Sequence, residues 1–161
     1  MNNQFYLILG SNLGDRFQML LAAEELIISK GIHIIRKSGI YESEPWGFES
    51  DQLFLNQVFL IECSLKPNDL LIILLNIEEK LGRKRSFNGY TSRNIDIDIL
   101  YFNQEAYCDN NLIIPHPRLH LRDFTLRPLC EIAPDYIHPK FRVKNIDLLQ
   151  NLNDLNPSRR V

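Results

Sequence analysis

The sequence has no apolar run long enough to cross a membrane. Its first hydrophobic stretch, Phe5 to Leu9, is far too short for a span or a signal core, and Met1 to Gln4 carry no basic residue. A cytoplasmic protein without membrane partners is expected. Only three cysteines occur, Cys63, Cys108 and Cys130, with no C-x-x-C spacing, which excludes a disulfide framework and a thiolate metal site. Each is read as a small buried hydrophobe. There is no G-x-x-x-x-G-K-[ST] loop, dinucleotide fingerprint, protein-kinase signature or G-x-S-x-G elbow. Gly10-Ser11-Asn12-Leu13-Gly14 has the glycines but neither the Lys nor the hydroxyl of a phosphate loop, so any ATP site must use another scaffold. Neither charge sign is in large excess: 18 Lys and Arg face 20 Asp and Glu, a net charge of -2, which argues against a nucleic-acid partner or a polybasic anchor. Linkers, repeats and low-complexity tracts are missing, so residues 1–161 read as a single domain.

What is present is a chain of 161 residues, 45% hydrophobic, enough for one continuous core. Its charge is unevenly spread. Residues 42–79 hold eight acids and one base, whereas 83–93 hold Arg83, Lys84, Arg85 and Arg93 with no acid. Phe5 to Leu9 reads as a buried strand ending at Gly10. Asp15 can cap a helix with Phe17, Leu20, Ala23 and Ile27 at helical spacing, stopped at Gly31. Residues 32–41 are expected to be extended. From Leu53 to Leu65, alternation places Phe54, Asn56 and Val58 on one strand face and Leu53, Leu55 and Phe59 on the other. Pro67 fits a first helical position, with Leu70, Leu71, Leu74, Ile77 and Leu81 forming an apolar stripe that ends at Gly82. Ile95 to Phe102 reads as a strand, and 119–132 as a short helix limited by Pro128. The order β-α-β-β-α-β predicts an α+β fold, an antiparallel or mixed sheet with helices on one side.

Strand periodicity projects Asp96 and Asp98 onto one face, with alpha carbons roughly 6 to 7 Å apart, while Ile95, Ile97 and Ile99 fill the other. Two such carboxylates can hold Mg2+ together with substrate phosphates. A solvated strand face is the plainer alternative. The basic segment Arg83 to Arg93 precedes them, and its length exceeds most structural connections. Its guanidinium groups can grip phosphate oxygens, or simply solvate a surface. His116, held between Pro115 and Pro117, can donate a ring N–H to an anion or stabilise a turn. His33, His120 and His138 lack such a setting and are read as structural or surface residues.

Taken in order, Leu9-Gly-Ser-Asn-Leu-Gly-Asp15, Tyr41-Glu-Ser-Glu-Pro-Trp-Gly47, Phe54-Leu-Asn56, Glu78 to Arg85, Arg93-Asn-Ile-Asp-Ile-Asp-Ile-Leu100 and Pro115-His116 resemble the 6-hydroxymethyl-7,8-dihydropterin pyrophosphokinases, over residues 5 to about 137. The resemblance implies a ferredoxin-like α+β single domain. It also implies transfer of pyrophosphate from MgATP to the hydroxymethyl group of the reduced pterin, a step of folate biosynthesis. On this reading Asp96 and Asp98 bind two Mg2+ ions, and ATP is the co-substrate. Arg83 and Arg93 match the loop arginines that assist transfer. Arg85, His116 and Arg122 match phosphate contacts, and Leu71, Glu78 and Ile99 match parts of the nucleotide pocket. Asn56 matches the amide that reads the pterin's polar edge, with Phe54 and Phe124 around the ring. Ser43, Pro45 and Trp46 lie in the loop whose backbone meets the pterin. A monomer is expected, with no room for a fused neighbouring activity.

The chain departs from the family pattern in places. R-W-G-P-R before the Asp pair is here Gly89-Tyr90-Thr91-Ser92-Arg93, Pro117 stands where a Tyr can contact nucleotide, and Phe54 stands where a Tyr is frequent. Glu44 precedes Pro45 where a Pro is common, and Asn110 and Asn111 offer no basic residue. Two other classes fit parts of the pattern. A two-metal nuclease would use the Asp pair and the arginines on a nucleic-acid backbone, but the basic area is small and the acidic segment opposes it. A non-enzymatic ferredoxin-like module binding RNA or a ligand would leave Asp-x-Asp and the Arg segment unused.

Overall fold

The computed structural model describes residues 2–45, 52–82, 94–154 and 156–161. Its elements run β1 (Asn3–Ser11), α1 (Arg16–Ser29), β2 (His33–Lys37), β3 (Tyr41–Ser43), β4 (Phe54–Cys63), α2 (Pro67–Lys80) and β5 (Asp96–Phe102), then β6 (Tyr107–Cys108), β7 (Ile113–Ile114), a 3-10 turn (Leu119–Leu121), α3 (Asp123–Ile132), α4 (Asn145–Gln150) and β8 (Arg159–Arg160).

The punctuation residues act as their chemistry dictates. The Asp15 side chain accepts the backbone N–H of Gln18 at 3.1 Å, satisfying one of the orphan donors at the start of α1. Pro67 opens α2, where its missing N–H costs nothing. Gly82 ends the helix run at φ +94, and a Cβ there would lie 2.6 Å from Nδ2 of Asn94. That amide donates to the Leu81 carbonyl at 3.1 Å. The chain therefore leaves for residues 83–93 and returns from them at one point.

All the pairings are antiparallel, in the order β5-β1-β4-β3-β8, with β2 also on β4. This is the sheet order of a β-α-β-β-α-β unit, extended by β8 at one edge. The expected extended stretch 32–41 is two strands. Between them Ser38 donates its N–H to the Val58 carbonyl, and its hydroxyl accepts the Val58 N–H.

Helices cover both faces of the sheet, which corrects the expectation of one covered side. Phe5, Leu7, Leu9, Leu55, Phe59, Ile97 and Ile99 pack against Leu20, Ala23 and Ile27 of α1 and Leu70, Leu74 and Ile77 of α2. On the opposite face Ile8, Val58, Leu60 and Tyr101 pack against Leu126, Leu129 and Ile132 of α3, with Leu148 and Leu149 of α4 beside them. The reason was already present in β4, whose residues are buried on both faces from Leu55 to Ile61. Pro128 also shortens nothing: it lies inside α3, which continues to Ile132. The one backbone hydrogen bond it removes is outweighed by the burial of Leu126, Leu129 and Ile132, each worth roughly 1.5 to 3 kcal/mol. Cys63 and Cys130 are buried as expected, but Cys108 is exposed on the short β6. Among the described residues no helix is long and apolar enough to cross a membrane.

His138 is structural. It is 2% exposed, stacks on Phe141 at 4.3 Å, and its Nδ1 accepts the N–H groups of Lys140 and Phe141. Burial pushes its pKa from 6.5 down to about 4, with His120 and Lys140 acting in the same direction. The folded protein thus holds this ring neutral while the unfolded chain takes up a proton. Its contribution is complete above pH 6.5 and is lost as pH falls toward about 4. His138→Asn is expected to be less stable than the parent at about pH 7, and the gap in Tm should narrow by an amount equivalent to on the order of 1 to 3 kcal/mol as pH falls to about 4.5. Thermal melts of both proteins across that range check it, and a constant gap would refute it.

Candidate active site

The site lies on the α3 side of the sheet, at the ends of β1, β4 and β5. Strand pairing aligns Asp96, Gly10 and Asn56 as one row across three strands, and Asp98, Ile8 and Val58 as the next. Directly opposed residues in antiparallel strands share a face, so both carboxylates point to the same side as Asn56. Ile95, Ile97 and Ile99 are buried on the other side, in agreement with the expected periodicity. Gly10 leaves the middle of its row without a side chain. A Cβ there would meet Oδ1 of Asn56 at 3.0 Å and Cδ1 of Phe54 at 3.7 Å.

Asn56 is 3% exposed, and its Nδ2 donates to Oγ of Ser43 at 2.8 Å. That bond fixes the amide with its oxygen toward the gap over Gly10. Phe54 pairs with Ser43 on the same face, half-buried, and Pro45 lies two residues beyond the end of β3. Arg16, the first residue of α1, donates to Glu42 at 3.0 Å and to the Leu53 carbonyl at 2.8 Å. The Gly10–Asp15 loop, β3 and the entry to β4 are thereby tied together.

His116 reaches the Asp pair through a β-bulge. The β1–β5 register shifts between Tyr6 and Leu7, which leaves Leu100 unpaired with β1, and the Leu100 carbonyl accepts the His116 N–H at 3.0 Å. The ring's Nδ1 accepts the Arg118 N–H at 3.1 Å, so its proton resides on Nε2, which lies 3.8 Å from Oδ2 of Asp98. Burial pushes the His116 pKa down to about 4; Arg122 adds to the depression and Asp96 opposes it. The ring is therefore neutral near pH 7 and acts as a donor. Arg122, 8% exposed, precedes α3 and places its guanidinium carbon 5.5 Å from the ring centroid of Phe124. Phe124 packs on the same sheet face as Val58 and Ile8.

The remaining expected residues lie at the other side of β5. Ile99 is buried and Leu71 half-buried in the α1–α2 core. Glu78 is 1% exposed, and its Oε2 accepts the Ile97 N–H at 3.1 Å. β5 is an edge strand, so this carboxylate satisfies a backbone donor that no neighbouring strand reaches. Arg83, Arg85, Arg93 and Trp46 lie outside the described residues. Among the described residues no group of three or more His, Cys, Asp or Glu is arranged around a cation. Two carboxylates nevertheless suit Mg2+, which keeps waters and takes its other ligands from substrate phosphates.

Sequence reasoning missed the roles of Gly10 and Leu100. The Gly10 row depends on register and the Leu100 bulge on an irregular pairing, and neither leaves a local signal.

A model of the family described as 7,8-dihydro-6-hydroxymethylpterin-pyrophosphokinase matches residues 6–134. The 2-amino-4-hydroxy-6-hydroxymethyldihydropteridine pyrophosphokinase of Porphyromonas gingivalis is 44% identical over 144 residues, covering 88% of this chain and 97% of that protein. The protein of the same name from Aquifex aeolicus is 42% identical, covering 94% and 93%. A crystal structure of wild-type Plasmodium falciparum HPPK-DHPS superposes with a TM-score of 0.74 at 16% identity, over 93% of this chain and 44% of that one, a likeness of fold. The Asp-x-Asp strand, the Gly10 loop and the Pro115-His116 turn all fall within the matched stretch, and the chain belongs to the 7,8-dihydro-6-hydroxymethylpterin-pyrophosphokinase family.

Proposed function

We propose that this protein transfers pyrophosphate from ATP to the hydroxymethyl group of 6-hydroxymethyl-7,8-dihydropterin, in a Mg2+-dependent reaction that yields AMP and the pterin diphosphate for folate biosynthesis. The observation that carries this reading is the pair of neighbouring rows Asp96–Gly10–Asn56 and Asp98–Ile8–Val58, which puts two acidic groups and a fixed amide on one face, with no side chain between Asp96 and Asn56.

Asp96 and Asp98 would hold Mg2+ in company with the triphosphate. The ions, when bound, neutralise phosphate charge and lower the pKa of the attacking hydroxyl. The nucleotide then crosses the edge of β5, with its base on the side of Leu71, Glu78 and Ile99 and its phosphates on the side of the carboxylates. Such a path explains why residues on opposite faces of one strand match one ligand. His116 offers a neutral Nε2–H to a phosphate oxygen, and Arg122 offers a fixed positive charge that the surrounding protein has already desolvated. Arg83, Arg85 and Arg93 would add charge from the neighbouring segment.

The pterin would occupy the gap over Gly10, between Phe54 and Phe124. Its flat ring suits aromatic contacts, and its polar edge carries N–H groups for the Asn56 carbonyl oxygen. Ser43 positions that amide, with Pro45 and Trp46 in the adjoining loop. The substrate hydroxyl attacks the β-phosphorus in line, the bond to the α–β bridging oxygen breaks, and the hydroxyl proton leaves to solvent. No side chain needs to serve as a general base. Positioning and charge supply the catalysis.

Three outcomes test this. AMP release should require ATP, Mg2+ and the pterin together, and Asp96→Ala or Asp98→Ala should lower kcat on the order of 100-fold or more; a variant with near-parental turnover would overturn the metal assignment. Asn56→Ala should raise the pterin KM with little change in ATP affinity, which steady-state kinetics and calorimetry read separately. Gly10→Ala should do the same by roughly threefold to tenfold, because the new methyl displaces the Asn56 oxygen by tenths of an ångström. An unchanged pterin KM in both variants would remove the pterin from this gap.

A further inference from the structure

Residues 156–161 lie beyond the stretch matched by the family model and include none of the residues assigned above to substrate. They are nevertheless bound to both walls of the proposed pterin gap. Ser158 donates its backbone N–H and its hydroxyl to Oδ1 of Asp123 at 2.7 and 2.8 Å. Both residues are buried, at 5% and 3% exposure. Asp123 is the first residue of α3, between Arg122 and Phe124. Arg127, one turn further on, donates to both oxygens of the same carboxylate. Burial alone would push the Asp123 carboxyl up, but the donations from Arg127 and Ser158 hold it below the ordinary value, so it remains charged.

From Ser158 the chain continues as β8 and pairs with Tyr41 and Glu42 of β3. Val161 then donates its N–H to the Ile40 carbonyl at 2.8 Å. The Arg160 Nε donates to Oε1 of Glu131 in the last turn of α3 at 3.0 Å. Glu131 also accepts the Tyr41 hydroxyl and the Gly39 N–H, each at 2.7 Å. The fit around Arg160 is close: a Cβ on Gly39 would sit 2.4 Å from its Nε.

We propose that residues 156–161 form a strap that ties both ends of α3 to β3 and thereby sets the width of the pterin gap, with Ser158 and Asp123 as positioning residues for Phe124. This inference rests on the function proposed above. The physical need is clear. The last turn of α3 is also held by Tyr41 and Gly39 on Glu131 and by Arg36 on the Ile132 carbonyl, whereas the rest of the helix lies on the sheet through apolar contacts, which are non-directional and tolerate sliding. A flat ring held between a helix residue and a sheet residue requires a fixed separation. Hydrogen bonds to a buried carboxylate provide that direction at the end of α3 from which Phe124 projects. At the other wall, pairing with β8 braces the strand that carries Ser43, the hydrogen-bond partner of Asn56.

The test compares the parent chain with Ser158→Ala, Ser158→Thr and a chain lacking residues 157–161. Kinetics are measured well below the lowest Tm, and pterin binding is followed through quenching of the single tryptophan, Trp46. Ser158→Ala should raise the pterin KM and Kd about threefold and the deletion about tenfold, with kcat within about twofold of the parent. Ser158→Thr, which keeps both donors, should restore the parental values. If Ser158→Ala and the deletion lower Tm but leave the pterin KM and Kd unchanged, the strap is merely structural and the proposal falls. Should the deletion fail to fold, Ser158→Ala decides, since it keeps β8 and the backbone donor. A parent chain that releases no AMP with ATP and the pterin would instead overturn the underlying function, and the inference with it.

Discussion

The absence of a side chain at Gly10 is the constraint around which the site is arranged. β1 is central and carries β4 on one side and β5 on the other, so any side chain in its middle would stand between the residues its neighbours present. At Gly10 those neighbours are Asn56 and Asp96. A methyl group there would press on the Asn56 oxygen at 3.0 Å. The hydrogen bond from Asn56 to Ser43, the half-buried Phe54 and the carboxylate pair come together on one face with no side chain of β1 between them. One row down, Ile8 and Val58 fill the same face as part of the core.

Electrostatics divides the molecule by task. The acidic stretch 42–79 loses much of its apparent excess to structure. Glu42 pairs with Arg16 at 3.0 Å, Glu62 accepts from Asn2 and Gln4, and Glu78 accepts the N–H of Ile97. Asp69 faces solvent. Glu78 connects the two halves of the proposed nucleotide path, because it holds the backbone between the two aspartates while being anchored in α2. The neutral His116 lies 3.8 Å from Asp98 on the α3 side, and the buried Arg122 helps to keep that ring neutral.

Much of this was legible in the residues. The alternation of Asp96 and Asp98 with three isoleucines determined their common face, and Pro67 and Gly82 bracketed α2 within a residue or two. Other features were not legible, for identifiable reasons. Helices on both sheet faces could be inferred only by noticing that β4 has no polar face, a weaker signal than the clear alternation around it. Pro128 reads as a breaker locally, and only burial of its neighbours overrules that. His116 and His138 share a His-Pro sequence and the same turn, in which Nδ1 accepts a backbone N–H two residues on. One faces the Asp pair and the other is packed against Phe141 and Tyr101; the second proline beside His116 set the two apart locally, but only the fold gives each its partners.

The sequence by itself determined the element types, the paired carboxylates, the basic segment and, through ordered motifs, the family. These depend on period and on residue chemistry, which act over a few positions. Tertiary structure alone decided that Gly10 separates Asn56 from Asp96, that a bulge at Leu100 brings His116 to Asp98, and that Ser158 reaches Asp123 across 35 residues. Each of these is a matter of register or of long-range closure. Shifting a strand by one residue would leave its local propensity intact and send every side chain to the opposite face.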